Sequence, residues 1–471
     1  MLSPLRWDRF MPTAIWLRVA GRMASSDQTT PERRERARDA GLARGVGVFG
    51  LAMAIVNGVV GGGIFSLPAD MAHAAGPAAL LGYLVCALAM TGVVLCCAEA
   101  GSRLPTSGGL YGYIEEAFGP LAGFVGGALL WLSSVLAAGG IAAALTDSLG
   151  ALRPELHNGA ARAALIIGEL GLVAVINCFS VRFASRAIGV FTALKLVPLI
   201  AFVAIGVAYI DPHRLGVGAA PAVSGVGRAV ILSLFAFQGM ETPLAASGEV
   251  RDPTRTLPRA LLAAMAAVAV LYIAIQLICQ GLLGDALAGS KNPLADALSR
   301  VDPRLGLLML ATAAASRMIW LGSDALGSPR VLFAFARDGF LPSVIGGLSR
   351  GAATPVVAIG VHAVIAMGLA LSGTFEQLAV LSVLSSAILY IGACAAAVVL
   401  RRRGVAVAGA PLRVSGLWLW AALGIASMVA VIALARGVEI MAMVAASLGA
   451  AVLFLVTAPA RRRRAAQSAA P

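Results

Sequence analysis

The chain has 471 residues, 59% of them hydrophobic and 13% charged, with a formal net charge of +13 and a mean hydropathy of +0.89. A soluble protein carries about 25% charged residues, so a water-exposed globular fold is excluded and the long uncharged runs are expected to meet lipid. At roughly 20 apolar residues per crossing, about twelve spans are predicted, near residues 47–69, 77–99, 121–146, 161–180, 187–209, 228–247, 260–283, 305–327, 354–372, 377–400, 414–435 and 438–459. Residues 1–46 form an Arg-rich tail of mixed charge without a signal-peptide core. Within it, residues 10–19 read either as a short amphipathic surface helix or as part of a disordered tail. Residues 461–471 read as a solvated basic tail.

The charge is unevenly placed. If the spans alternate from a cytoplasmic N-terminus, the inside receives Arg33, Arg34, Arg36, Arg38, Arg44, Arg182, Arg186, Arg251, Arg255, Arg259, Arg330, Arg337, Arg401 to Arg403 and Arg461 to Arg464. The outside keeps few basic residues, such as Arg153, Arg214, Lys291 and Arg300. This is the positive-inside asymmetry. It predicts a multi-pass protein of the inner (cytoplasmic) membrane with both termini inside. The basic balance therefore reports topology and contact with the lipid bilayer, not a nucleic-acid partner. The segments between spans, 100–120, 210–227, 284–304 and 328–353, are rich in Gly, Pro and charge, as loops are. No soluble domain is predicted that could house catalysis. Cys86, Cys96, Cys97, Cys178, Cys279 and Cys394 all fall in apolar runs and read as small hydrophobes. His73, His157, His213 and His362 are scattered. No metal or cofactor site, no phosphate-loop motif and no clustered catalytic side chains are legible, so the chain is not read as an enzyme and its energy source is expected to be a gradient.

Two spans are interrupted by glycine: Gly61-Gly62-Gly63 in the first and Gly239 in the sixth. Backbone without helical hydrogen bonds is tolerated at membrane depth only where it lines a cavity or is buried in protein. Broken helices at corresponding points of two halves point to a transporter binding site. If spans 1–5 (47–209) and 6–10 (210–400) are two repeats, each opens on a broken helix. Five crossings per repeat then force the second repeat to be inverted. Residues 401–460 supply two further helices. A break exposes N–H groups that attract an anion and C=O groups that attract a cation. Two antiparallel breaks can therefore hold the carboxylate and ammonium of an amino acid with backbone alone. Scattered pairs such as Gly126-Gly127 and Gly139-Gly140 are assigned to helix packing through small residues.

The stretch Val56-Asn-Gly-Val-Val-Gly-Gly-Gly-Ile-Phe-Ser-Leu-Pro68, continuing to Gly76, resembles the first helix of amino acid–polyamine–organocation (APC) superfamily permeases. Three further segments resemble the same family in the same order. The first is Arg103-Leu-Pro-Thr-Ser-Gly-Gly-Leu-Tyr-Gly-Tyr113, closing at Ala117-Phe-Gly-Pro120. The second is Phe235-Ala-Phe-Gln-Gly-Met-Glu241 with Gly248 to Pro253 and Leu257 to Ala260. The third is Phe335-Ala-Arg-Asp-Gly-Phe-Leu-Pro342. Together they cover roughly residues 45–400. The resemblance implies an all-α membrane protein of the leucine-transporter type, with a 5+5 inverted repeat plus two C-terminal helices. It implies substrate-binding positions at Val59, Gly61, Gly62, Gly63, Ile64, Phe235, Gln238, Gly239 and Glu241. The carboxylate would sit on the amides of Gly61, Gly62 and Gly63, and the ammonium on the carbonyls of Val59, Phe235 and Gln238. Phe235 would close over the substrate as an outer gate. Glu241 matches an acidic position just past the second break.

Among 36 lysines and arginines only Lys195 and Lys291 are lysine. Lys195 lies inside span 5. Arginine does not lose its proton in a protein, whereas a buried lysine shifts its pKa readily, so a lysine at membrane depth suits proton exchange. The bland alternative is snorkelling to the nearer surface. The resemblance implies that Lys195 takes the place of a sodium ion beside the first break, as a lysine does in some similar permeases; proton-coupled relatives use it for coupling, and some exchangers also have it. Arg317 and Asp324, seven residues apart in span 8, share a face. They read either as a buried ion network or, for Asp324, as a determinant of substrate choice. The expected function is a secondary transporter that moves an amino acid inward with protons by alternating access. An amino acid exchanger on the same fold is the alternative. Side-chain specificity, stoichiometry and oligomeric state are not legible.

Overall fold

The structure, a computed structural model, describes residues 45–468 except 106–107, 154, 156–158, 180, 216–222, 246 and 350–353. The expectations for residues 1–44 and His157 lie outside the described residues, as do the side chains of Arg182, Arg186 and Arg461 to Arg464.

Backbone that meets no water must close its hydrogen bonds within the segment, and the apolar runs accordingly become helices. In chain order these are α1 (Val48–Val59), α2 (Leu67–Ala75), α3 (Ala79–Arg103), α4 (Gly109–Phe118), α5 (Pro120–Leu152), α6 (Gly159–Phe179), α7 (Val181–Gly206), α8 (Val223–Phe237) and α9 (Glu241–Leu244). They continue as α10 (Pro253–Leu283), α11 (Pro293–Ser299), α12 (Pro303–Gly327), α13 (Pro329–Arg337), α14 (Val356–Ser372), α15 (Phe375–Arg402), α16 (Leu417–Ala433) and α17 (Gly437–Ser468). Proline opens α2, α5, α10, α11, α12 and α13. Its fixed φ suits a first helical turn, where its missing N–H would have no partner anyway. Among the described residues no strand forms, and a single parallel bridge joins Val46 to Val250.

Seven helical runs among the described residues are long and apolar enough to cross a membrane, accompanied by five apolar helices of 10–17 residues. They fall where spans were expected. The first and sixth expected spans are each split: α1 and α2 flank a 3-10 turn at Gly63–Phe65, and α8 and α9 flank Gln238–Met240. The expected loops are corrected in three places. Residues 100–120 contain α4, residues 284–304 contain a 3-10 turn and α11, and residues 328–353 contain α13. Each buries an apolar face (Leu110, Tyr113 and Ile114 in α4; Leu294, Ala297 and Leu298 in α11; Leu332 and Ala336 in α13). Their Gly and Pro residues delimit short helices instead of preventing them.

At the core, α3 packs against α8 and α10, and α10 also against α1, while α15 lies along α5. Outward, α17 presents Met441, Val444, Leu448, Val452 and Leu455 as an exposed apolar stripe, and α6 presents Ile167, Leu172 and Ile176. Uncovered apolar surface of this extent is what lipid contact requires. Charge is admitted to the interior where it is fully satisfied. The buried Glu99 carboxylate accepts from Arg103 Nε at 2.9 Å and Nη2 at 2.7 Å, Arg401 Nε at 2.6 Å, Arg401 Nη2, and the Val414 amide at 2.8 Å. It thereby pins α3 to α15 and to the segment that follows it.

Candidate substrate site

The two interruptions meet backbone to backbone. A Cβ on Gly58, in the last turn of α1, would lie 2.4 Å from the Gly239 carbonyl oxygen, and a Cβ on Gly239 would lie 2.3 Å from the Gly58 oxygen. Gly239 also has φ of +114°, a conformation open to glycine at little cost. Beside this contact lies a cavity of about 560 Å³. Of the expected positions, Val59, Gly61, Gly63, Ile64, Phe235, Gln238, Gly239, Glu241 and Asp324 line it. Gly62 and Lys195 do not.

The three glycines serve neighbouring side chains as well as any ligand. A Cβ would strike the Trp320 ring at Gly61 (2.7 Å), Arg317 Cγ and Ile141 at Gly62 (2.7 and 2.8 Å), and the Phe235 ring at Gly63 (2.8 Å). Phe235 spans from this break to α15, where its ring meets Phe375 edge-on at 5.5 Å between centroids. Among the described residues the N–H groups of Gly62 and Gly63 find no backbone acceptor, whereas the Gly61 N–H folds back on the Val59 carbonyl at 2.7 Å.

The carbonyls of the first break are occupied. Lys195 Nζ donates to Asn57 O at 2.7 Å and Val60 O at 2.6 Å. Trp320 Nε1 donates to Gly58 O at 3.0 Å, Tyr272 Oη donates to Val59 O at 2.9 Å, and Arg317 Nε lies 3.5 Å from Gly62 O. Lys195 is thus buried and turned inward; snorkelling is not what the geometry gives. The expectation that a substrate ammonium meets Val59 O finds that oxygen already accepting two hydrogen bonds. The second break differs. The Gly239 N–H, which in a continued helix would bond Phe235 O, goes to Glu241 Oε2 at 2.7 Å. The carbonyls of Phe235 and Ala236 are left without a backbone donor among the described residues.

Arg317 and Asp324 share a face of α12 but form no pair. Arg317 donates to Ser148 Oγ and Ser66 Oγ, each at 2.7 Å, so its fork binds hydroxyls and carbonyls and the expected ion network is not built. Asp324 instead meets His362 Nε2 at 2.9 Å and accepts from Ser328 Oγ at 2.5 Å. Glu241 is buried, with its second oxygen taken by the Tyr390 hydroxyl.

Several lining or supporting residues had no part in the sequence reading. Trp320 is one, although its spacing from Arg317 and Asp324 puts it on the same helical face. Tyr272 and Tyr390 are others, and His362 enters the sequence reading only as one of four scattered histidines. Opposite the breaks, Ser133 of α5 and Ser382 and Ser386 of α15 form a hydroxyl cluster with Oγ–Oγ distances of 2.9 and 2.8 Å from Ser133. Gln238 joins it, accepting from Ser382 Oγ at 3.2 Å.

Two broken membrane helices that share a cavity are the arrangement at which carriers place their binding site. The family described as amino acid permease matches residues 46–457, and the chain belongs to that family, within the APC superfamily. It is similar to the methylthioribose transporter of Bacillus subtilis, at 27% identity over 70% of this chain and 75% of the relative. It is also similar to the serine/threonine exchanger SteT of the same organism, at 25% identity over 78% of this chain and 85% of the relative. The branched-chain amino acid permease BcaP of Lactococcus lactis is 29% identical over 62% of this chain and 68% of the relative.

Proposed function

We propose that this chain is a secondary active transporter that carries an amino acid across the cytoplasmic membrane by proton symport and alternating access. Its helices would be arranged as two inverted five-helix repeats followed by two more, with both termini in the cytoplasm. One observation carries the reading. The two breaks touch at Gly58 and Gly239 and open on one cavity, the first offering the Gly63 N–H and the second the Phe235 and Ala236 C=O groups, none with a backbone partner among the described residues. A zwitterion presents a complementary anion and cation to those two ends. Phe235 would close over the bound molecule, and Glu241, which accepts from the Gly239 amide, would hold the second break open.

Lys195 is the proposed coupling residue. Its Nζ sits on two carbonyls of the first break, so protonation favours the arrangement in which α1 is held and deprotonation releases it. Purified protein in proteoliposomes should accumulate a labelled amino acid when an inward proton gradient is imposed. Lys195→Ala should abolish that accumulation while leaving a folded, monodisperse protein. Unchanged accumulation in Lys195→Ala would overturn the coupling role. The second reading, an exchanger, is favoured by the similarity to an exchanger; uptake that requires amino acid inside the vesicle and ignores the gradient would select it.

A further inference from the structure

The side chains around the cavity narrow the substrate further than the breaks do, on the reading that the cavity binds an amino acid. Four charged residues line it: Glu241, Asp324, Glu249 and Arg330. The two buried ones already have a hydrogen-bond partner on each oxygen. Glu241 accepts from the Gly239 amide and Tyr390, and Asp324 is held between His362 and Ser328. Glu249 and Arg330 are exposed. A cationic substrate side chain would have to compete with those partners for a buried carboxylate, and an anionic one would find no buried cation on the cavity wall. A charge taken to this depth without a partner is strongly disfavoured.

The hydroxyls point the same way. Helical Ser and Thr in this molecule characteristically donate to the carbonyl four residues back, as Ser148, Ser233, Ser299, Ser323, Ser385 and Thr312 do. That is the ordinary resting place of a buried hydroxyl in a membrane helix. Ser133, Ser382 and Ser386 depart from it. Ser133 and Ser382 reach each other's backbone carbonyls across the helices, at 3.1 and 2.9 Å, their hydroxyls also meet one another and Ser386 at the cavity wall, and Gln238 completes the group through Ser382. The Ser386 hydroxyl has one partner among the described residues, Ser133 Oγ. When Ser133 donates in that contact, the Ser386 proton is free for a ligand; when Ser386 donates, its oxygen lone pairs are free. The set can therefore serve either a donor or an acceptor.

We propose that the transported amino acid bears a short, uncharged, hydrogen-bonding side chain, a hydroxyl or carboxamide, read by Ser386 and Gln238 with Ser133 and Ser382 behind them. The test is competition against labelled threonine uptake in proteoliposomes of the full chain. Threonine and valine form the decisive pair because they have nearly the same shape and differ in a hydroxyl. Wild type should favour threonine over valine by about tenfold, the worth of one buried hydrogen bond, and lysine and aspartate should not compete. Ser386→Ala should collapse the threonine-to-valine ratio toward one. Equal competition by valine in the wild type, or an unmoved ratio in folded Ser386→Ala, would overturn the proposal and leave the hydroxyls as glue between α5 and α15. The wild-type comparison decides even if the variant does not fold. If no amino acid is taken up at all, the transport reading itself fails, an outcome distinct from uptake with the wrong preference.

Discussion

The contact between the breaks leaves no room for a side chain, and Gly239→Ala tests it. Alanine at φ of +114° incurs backbone strain of about 1–2 kcal/mol. The new methyl also falls 2.3 Å from the Gly58 oxygen and 2.9 Å from the Val59 nitrogen, both backbone atoms that cannot rotate aside. Relieving such overpacking costs about 1–3 kcal/mol, so the total is about 2–5 kcal/mol. The breaks can escape only by moving apart, which displaces Gly61 and Gly63 from Phe235 and Gln238. Transport should therefore fall at least about thirtyfold, the lower bound in free energy expressed as a rate. The assay is initial uptake in proteoliposomes, with gel filtration and a thermal melt in detergent to establish folding. Gly360→Ala in α14 is the control, since nothing lies within 4 Å of its Cβ position; it should leave uptake unchanged and the melt equal or slightly higher. Normal uptake by Gly239→Ala would refute the claim that the two breaks form one site.

Two further substitutions probe the surroundings of the breaks. Trp320→Phe keeps an aromatic ring over Gly61 but removes the donor to Gly58 O; leaving that carbonyl unpaired should lower stability by about 1–3 kcal/mol, read as a lower melting temperature and a raised KM. Tyr390→Phe strips one of the two donors from the buried Glu241 carboxylate. In a double-mutant cycle with Glu241→Gln, the melts should reveal a coupling of about 0.5–3 kcal/mol; additive effects would mean that the contact is not energetically real.

Some of this architecture was legible in the sequence and some was not, for identifiable reasons. The breaks were visible because glycine runs inside apolar segments leave backbone polar groups that lipid cannot satisfy. Lys195 was visible because a lysine in an arginine-using chain stands out at membrane depth. What glycine made room for was not visible. Gly62 serves Arg317 and Ile141 instead of the cavity, which depends on contacts across more than seventy residues of chain. The pairing of Asp324 with His362, and of Glu241 with Tyr390, joins helices whose relative rotation no spacing rule provides. Trp320 was within reach, since its phase matches Arg317 and Asp324. Residues 100–120 and 328–353 were misread as loops because their glycines and prolines delimit α4 and α13, whose apolar faces pack on the core.

The hydrogen bonds at the breaks divide the work between the two halves. At the first break, the carbonyls of Asn57, Gly58, Val59 and Val60 accept from Lys195 of α7, Trp320 of α12 and Tyr272 of α10. An ammonium placed there would have to displace a side chain from each. At the second break, Glu241 diverts the Gly239 amide and leaves Phe235 O exposed to the cavity wall. On the proposed reading, the first break holds the carboxylate through its amides and the second holds the ammonium through its carbonyls. The same bonds tie α1 to three helices, so α1 cannot tilt while Lys195, Trp320 and Tyr272 all keep their acceptors. Of these three donors only Lys195 is a side chain whose positive charge is lost by proton transfer. On the proposed reading, a proton-driven change in the position of α1 would be triggered at Lys195.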